Sequence, residues 1–201
     1  MNAARSHVYW NGTFAQCELS SIVSQQLPGA LDGVLSQMGN LPPVTDDLAP
    51  FLWLDQKYYL ADDILVKSDR MSMAHSVEVR PPFLDHRIVE FAATLPADLK
   101  ILGSRQKIVL KELMKRKLPP SIVNRGKIGF DIPAHEWLRG PLLELLEETL
   151  EFGLAEYGQL FCQDGIENLK KRHLQIRVNV GYHLWGLLIL FLWMKKWKVK
   201  I

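Results

Sequence analysis

Apolar side chains recur three and four residues apart along most of this chain, and this spacing predicts a mainly helical fold. One long helix is predicted from about Leu48 to Ser68. Its apolar positions are Leu48, Phe51, Leu52, Tyr59, Leu60 and Ile64. The preceding Asp46-Asp47 offers carboxylates that can cap its first turn. No run of strands is long enough to build a sheet, so helices are expected to form the core.

Proline and glycine divide the rest of the chain into shorter predicted elements. Because a proline disfavours helix at the residue before it, Val79-Arg80-Pro81 is predicted to be extended. The segment 125–133 is predicted to be a loop, since it has two glycines and no apolar periodicity. Ser104 is predicted to start a helix that carries Lys107 near its N-terminus. The other predicted helices are 18–26, 30–38, one capped by Asp85 that ends before Pro96, 134–138, 142–150, 164–175 and 182–197.

The most apolar segment lies near the C-terminus, from Tyr182 to Met194. It is shorter than the roughly 20 residues that span a bilayer, and it contains His183 and Gly186. A buried terminal helix is the favoured interpretation. An interfacial membrane helix is the weaker alternative, because apolar residues surround the segment rather than forming one face. A stripe of tryptophans is expected to be core, or to dock on the body of a larger domain: Trp185, Trp193 and Trp197.

Composition narrows the class of protein further. The chain has 201 residues, of which 48% are apolar and 23% charged, so it can bury a sizeable core. A net charge of +2 points neither to nucleic acid nor to an anionic membrane. The two cysteines, Cys17 and Cys162, form no CxxC pair, which favours free thiols in a reducing cytoplasm and gives no support to a metal site. The expected organisation is a helical linker over 1–45 and a helical region over 46–201.

The stretch 68–87 mixes charged and histidine side chains with residues that could be buried. In an extended segment Glu78 and Arg80 point to the same side, where they could pair or face a polar ligand together. Asp85 could bind a ligand or simply cap its helix. Asp69-Arg70 is predicted to end a helix, where a cation suits the helix dipole. From the pattern alone, a structural role for these side chains and a functional one both remain open.

A second polar stretch, Arg125–Phe130, has the chemistry that phosphate groups need. Two glycines allow close backbone approach, and Lys127 lies between them beside Arg125. The G-x-x-x-x-G-K spacing of a P-loop is absent. A solvated turn anchored by Phe130 is the alternative. Lys107 is unusual for a helix N-terminus, and a nearby anion would explain it, although ordinary helices tolerate such a residue.

These motifs, in this order, resemble the C-terminal domain of glutamine-dependent asparagine synthetases. The resemblance covers about Leu54 to Leu150. It rests on Asp69-Arg70-Met71-Ser72-Met73-Ala74, Glu78-Val79-Arg80, Pro82-Phe83-Leu84-Asp85-His86-Arg87, Val89-Glu90-Phe91-Ala92, Leu95-Pro96, Leu99-Lys100, Lys107, Leu118-Pro119, Asn124-Arg125 with Lys127 and Gly129-Phe130, and Trp137-Leu138-Arg139-Gly140-Pro141.

The resemblance implies an ATP-pyrophosphatase-type α/β synthetase domain, related to the adenine nucleotide alpha hydrolases. Such a domain uses ATP with Mg²⁺ to activate aspartate as a β-aspartyl-adenylate, which ammonia from glutamine then attacks. It implies that Lys127 contacts the phosphates and is catalytic, with Glu78 as a second catalytic candidate. The implied substrate or ATP-site candidates are Arg80, Asp85, Asp69, Arg70, Lys107 and Arg125.

The chain also departs from the family pattern. Residue 2 is Asn2, where the glutaminase needs a nucleophilic cysteine, and no Ser-Gly-Gly-x-Asp-Ser pyrophosphate loop occurs. The expectation is therefore the C-terminal helical portion of a synthetase domain without the core sheet. It would be incomplete alone, and its partners would be a glutaminase and the ATP-loop portion, in the same or another chain. Two alternatives remain: a non-catalytic helical interaction module, and an amidotransferase that acts on another carboxylate.

Overall fold

The computed structural model describes residues 6–8, 12–25, 30–37, 46–126, 129, 132–176 and 178–200. They divide into two compact units. The terminal unit takes its residues from Val8–Gly29 and Gly129–Ile201, and the central unit takes its residues from Asn2–His7 and Ala30–Ile128. The predicted boundary between 1–45 and 46–201 stays a prediction, because residues 38–45 lie outside the described part of the chain.

The terminal unit is a helical bundle with one hydrophobic core. Its helices are α1 (Gln16–Ile22), α9 (Ala134–Trp137), α10 (Leu143–Tyr157), α11 (Gln163–Leu174) and α12 (Gly181–Trp197). The core takes buried side chains from all of these helices except α9, and from the turns between them. Its fully enclosed members include Leu138, Leu146, Ile166, Leu184, Leu187 and Phe191. The predicted helices 134–138, 142–150, 164–175 and 182–197 are confirmed, and α10 runs seven residues further than 142–150. The predicted helix 18–26 is confirmed only in part, because α1 ends at Ile22 and Val23 pairs with Phe161 instead.

Close contacts between distant segments hold the terminal unit together. The side chain of Phe191 on α12 lies directly against Gly153 on α10, where any β-carbon would collide with the ring. The Tyr157 hydroxyl donates a hydrogen bond to the carbonyl of Val199, 3.1 Å away. The main-chain N–H of Cys162 donates to the carbonyl of Ile22 at 2.8 Å, which ties α1 to the start of α11. Burial of the bundle therefore depends on residues far apart in sequence.

From residue 30 onwards, the central unit consists first of α2 (Ala30–Ser36) and then of a long continuous helix. That helix comprises α3 (Ala49–Leu54), an 11-residue π-helical segment (Asp55–Leu65) and α4 (Val66–Met73). The predicted cap is confirmed: Oδ1 of Asp46 accepts hydrogen bonds from the main-chain N–H groups of Leu48 and Ala49, both at 2.9 Å. The prediction of regular 3.6-residue spacing is wrong over the π-helical segment, where hydrogen bonds reach one residue further along the chain.

Short elements follow in the central unit. They are a 3₁₀ turn (Pro82–Leu84), α5 (His86–Thr94), α6 (Ala97–Lys100), strands β1 (Ile101–Leu102) and β2 (Arg105–Gln106), α7 (Ile108–Met114) and α8 (Pro120–Val123). The antiparallel strands form a tight hairpin in which Ile101 faces Gln106. Residues 77–81 have no helix or strand, and Pro81 has the extended backbone that was predicted for it, with φ −77° and ψ 111°. In the predicted loop 125–133, the described residues have no helix or strand.

Two predictions around the hairpin are wrong. Ser104 does not start a helix, because it lies in the hairpin turn between β1 and β2. Lys107 therefore precedes α7 instead of lying on it, and its φ of 56° places it in the left-handed region. The hairpin was not expected from the sequence, since strands of two residues leave too little alternation to recognise.

The central unit buries far less than the terminal unit. None of the residues from 55 to 122, all of which are described, is buried. Large apolar side chains in this stretch are exposed, among them Met71, Phe83, Phe91, Leu102 and Leu113. A segment of this length normally needs buried apolar surface to offset the entropy lost on ordering. Its own packing supplies little of that stabilisation.

Helix α12 has apolar side chains all round its axis, and only one side of it is buried. Leu184, Leu187 and Phe191 face the core, whereas Trp193 and Trp197 are 53% and 65% exposed. The prediction that the tryptophan stripe is core is wrong for these two residues, and Trp185 is half-buried with its ring 6.1 Å from that of Trp137. Every helix in the described ranges is too short or too polar to cross a bilayer.

Candidate functional site

The first candidate pair is joined by a direct ion pair. Arg80 Nε donates a hydrogen bond to Oε1 of Glu78 at 2.7 Å, as the extended backbone predicted. The two side chains are 84% and 66% exposed, so water screens the pair and it stabilises the fold little. Both terminal amino groups of Arg80 make no hydrogen bond to any described residue. They remain free to bind a carboxylate or phosphate.

Asp85 has a structural role that the sequence also predicted. It is the N-cap of α5, and its Oδ1 accepts a hydrogen bond from the main-chain N–H of Arg87 at 3.0 Å. The Arg87 guanidinium adds two more hydrogen bonds, at 2.9 Å to Oδ1 and 2.8 Å to Oδ2. The side-chain and then the main-chain hydrogen bonds of Arg87 lower the pKa of Asp85. The carboxylate of Asp85 is therefore ionised at neutral pH, and both of its oxygens already accept hydrogen bonds from Arg87.

Asp69 and Arg70 lie on the exposed surface of α4. These two residues were predicted to end the helix, but it continues for three more residues, to Met73. The carbonyl of Asp69 accepts a hydrogen bond from the Ser72 hydroxyl at 3.0 Å. Neither side chain forms an ion pair with another described residue, which leaves one free carboxylate next to one free guanidinium.

Lys107 owes its position to the hairpin. Its left-handed backbone turns the chain from β2 into α7, and its carbonyl accepts the N–H of Lys111 at 2.9 Å. A left-handed conformation costs a residue with a β-carbon roughly 1–2 kcal/mol. The exposed Lys107 side chain makes no ion pair within the described residues.

The glycine-containing stretch is only partly described. Arg125 is exposed just beyond α8, and its main-chain N–H donates to the carbonyl of Ile122 at 3.3 Å. Its guanidinium makes no ion pair with a described residue. The catalytic candidate Lys127 lies outside the described residues, so its predicted contact with phosphates stays a prediction.

The structure brings the candidates together only in part. No hydrogen bond or ion pair among the described residues joins the Glu78–Arg80 pair to Asp85, Lys107 or Arg125. The exposed cations nevertheless supply the donors that nucleotide phosphates require, and Asp69 offers an oxygen ligand of the type that Mg²⁺ prefers. The donor chemistry therefore fits ATP with Mg²⁺. Within the described ranges, no three His, Cys, Asp or Glu side chains lie close enough together to hold a metal ion by themselves.

Sequence reasoning did not single out Arg87. Its guanidinium donates two parallel hydrogen bonds to the carboxylate of Asp85. This two-pronged geometry is the one in which arginine recognises a carboxylate most specifically. The available signal was its position two residues after a predicted N-cap aspartate, where a main-chain donor and a side-chain donor can reach the same carboxylate.

Comparison with known proteins matches the family model for asparagine synthase over residues 3–198. The chain is 34% identical over 149 residues to a putative glutamine-hydrolyzing asparagine synthetase of Mycobacterium tuberculosis, covering 74% of this chain and 22% of that protein. It is 27% identical over 147 residues to glutamine-hydrolyzing asparagine synthetase 1 of Bacillus subtilis, covering 73% of this chain and 23% of that protein. It is also 33% identical over 88 residues to the amidase chry2 of Gibberella zeae, covering 41% and 13%.

The chain thus spans about a fifth of the length of the asparagine synthetases it matches. No solved structure matches its fold. The family match extends over both units and includes every candidate site residue, from Asp69 to Lys127. This chain belongs to the asparagine synthase family.

Proposed function

We propose that this chain is the C-terminal helical portion of an ATP-dependent asparagine synthetase. The complete enzyme would convert aspartate to asparagine through a β-aspartyl-adenylate, with ammonia derived from glutamine. The glutaminase and the sheet with its ATP loop would come from further polypeptide, in the same chain or in a partner. Alone, the 201 residues would not sustain the reaction.

The observation that carries this proposal is the exposed apolar surface of the central unit. The stretch 55–122 has no buried residue, and it is the stretch that holds most of the candidate site residues. A stretch with many exposed apolar side chains is typical of a surface that another domain or another protein chain covers. A covering body would bring its own groups close to Glu78 and Arg80. The site would then form between this stretch and the part that covers it.

The free cations would serve the adenylation step. Lys127 would contact the phosphates of ATP, and Arg125 and Lys107 would add positive charge. Positive charge placed in advance stabilises the negative charge that develops as pyrophosphate leaves. Glu78 would hold Arg80 by their ion pair and so direct the free guanidinium nitrogens towards a carboxylate or phosphate.

We place the protein in the cytoplasm. Both cysteines are free, with Cys17 exposed and Cys162 half-buried. Free thiols are the usual state in a reducing compartment, where asparagine synthesis would also have its ATP.

The test is a chimera in which this chain replaces the matching region of the M. tuberculosis relative. Aspartate-dependent release of pyrophosphate from ATP and formation of asparagine are measured together. The proposal expects both reactions in the chimera and neither with the isolated chain. Lys127→Ala should abolish pyrophosphate release in the chimera. The same change at Lys117, an exposed lysine of the central unit, should leave pyrophosphate release unchanged.

Other outcomes would support the alternative functions. If Lys127→Ala had no effect and no nucleotide bound to the chimera, a non-catalytic interaction module would replace the proposal. The similarity to an amidase of G. zeae favours a different substrate as the second candidate. Amide formation on some other carboxylate, with free aspartate left unreacted, would establish that alternative.

A further inference from the structure

Two histidines from different helices meet inside the terminal unit. His173 on α11 is completely buried, and the centre of its ring lies 6.1 Å from that of His135 on α9. Nε2 of His173 and Nδ1 of His135 are both buried and make no hydrogen bond. An imidazole enclosed in this way has no water to solvate a positive charge.

A permanent positive charge lies beside this pair. Nε of Arg139 donates a hydrogen bond to the carbonyl of His173 at 3.0 Å, and one terminal nitrogen of Arg139 lies 3.5 Å from Nδ1 of His173. No ion pair joins His173 to a described carboxylate. The charged or titratable groups that act on it are Arg139 and His135, and neither can offset a proton on its ring.

The junction has little room to adjust. The His135 ring packs edge-on against Tyr182 of α12, with ring centres 5.0 Å apart. Its Nδ1 lies directly against the backbone of Gly181, where any β-carbon would collide with it. Helices α9, α11 and α12 therefore meet at one tightly packed point that contains His173, His135 and Arg139.

We propose that this junction is acid-sensitive. Neutral His173 holds α9, α11 and α12 together, and protonation of His173 releases these helices from one another. A proton on His173 would place a buried cation beside Arg139 with no counter-charge. The release would be local to the terminal unit and independent of any nucleotide or substrate.

The direction of the pH dependence follows from the surroundings of the ring. Burial lowers the pKa of His173, and the nearby Arg139 and then His135 lower it further, while the main chain of His135 has the smallest effect and acts in the opposite sense. The unfolded chain therefore takes up a proton on this residue at about pH 6.5, before the folded chain does. Stability is complete above that pH and falls as the pH drops below it.

The experiment is urea unfolding of the full chain between pH 7.5 and 5.0, followed by tryptophan fluorescence, to which the terminal unit contributes Trp137, Trp185, Trp193 and Trp197. We expect the folding equilibrium constant to fall by up to about tenfold per pH unit below pH 6.5 for the proton taken up by His173. His173→Leu should remove that part of the slope. The control variant His75→Gln, at an exposed histidine of the central unit, should keep the wild-type slope.

A second measurement uses the unmodified protein, so it does not depend on a variant that folds. The imidazole carbon-bound protons are followed by NMR across the same pH range. His173 should keep its neutral chemical shift in the folded chain as the pH falls below 6.5. The inference is overturned if His173 titrates at or above pH 6.5 while the chain stays folded, or if His173→Leu leaves the slope unchanged.

Discussion

Arg87 donates three hydrogen bonds to the carboxylate of Asp85, one from its main chain and two from its guanidinium. A carboxylate in this state is fixed in place and has few lone pairs left for a ligand. The pair therefore fixes the start of α5 at His86, six residues after Arg80. These hydrogen bonds give Asp85 a role in positioning α5, which can be tested separately from a role in the chemistry.

Replacing Asp85 tests that separation. Asp85→Ala removes the cap of α5, and we expect the amides at the start of that helix to exchange several times faster with solvent. Asp85→Asn keeps an oxygen that can accept the main-chain N–H of Arg87, so exchange should stay close to wild type. Hydrogen exchange of the isolated chain measures both. In the chimera, an Asn variant that folds but no longer releases pyrophosphate would assign Asp85 a chemical role.

The same change of phenylalanine to alanine should have very different effects in the two units. Phe191 is completely buried, and Phe191→Ala should lower the free energy of unfolding by about 3–5 kcal/mol. Phe91 is 61% exposed, and Phe91→Ala should change it by less than about 0.5 kcal/mol in the isolated chain. Urea titration measures both variants. Equal losses would mean that Phe91 is buried in solution and that the central unit covers its own apolar side chains.

Gly153 tests the contact between α10 and α12. Gly153→Ala would place a methyl group against the Phe191 ring, and we expect a loss of about 1–3 kcal/mol even though alanine favours helix. Gly126→Ala is the control, since apart from its chain neighbours no described residue has an atom within 4 Å of the added carbon. Thermal unfolding followed by circular dichroism compares the two variants. A stabilising Gly153→Ala would show that the two helices can separate without cost.

Lys107 tests whether a strained residue is kept for function. Lys107→Gly relieves the left-handed backbone and should raise the free energy of unfolding by about 1 kcal/mol. Lys107→Ala retains a β-carbon and should give no such gain. In the chimera, loss of pyrophosphate release in both variants would mean that the lysine side chain contacts the phosphates. Full activity in both would mean that Lys107 only connects the hairpin to α7.

The parts of the candidate site that were predictable are those decided by neighbours in sequence. Glu78 and Arg80 pair as expected, since the two prolines predict an extended backbone, which places residues two apart on the same side. The backbone of Lys107 was not predictable, because the hairpin that imposes it is too short to leave a pattern. The meeting of His173 with His135 and Arg139 left no signal either, since these residues come from separate helices.

The sequence alone determined where most of the helices lie, which aspartates cap α3 and α5, and which family the motifs resemble. Caps such as Asp46 and Asp85 act over two or three residues, so their hydrogen bonds can be read from the local order of side chains. The tertiary structure alone decided which apolar residues are buried. Helix α12 is apolar all round, and the packing of α10 against it covers Phe191 but leaves Trp193 and Trp197 exposed. Burial depends on which distant segments come into contact, and no local pattern contains that information.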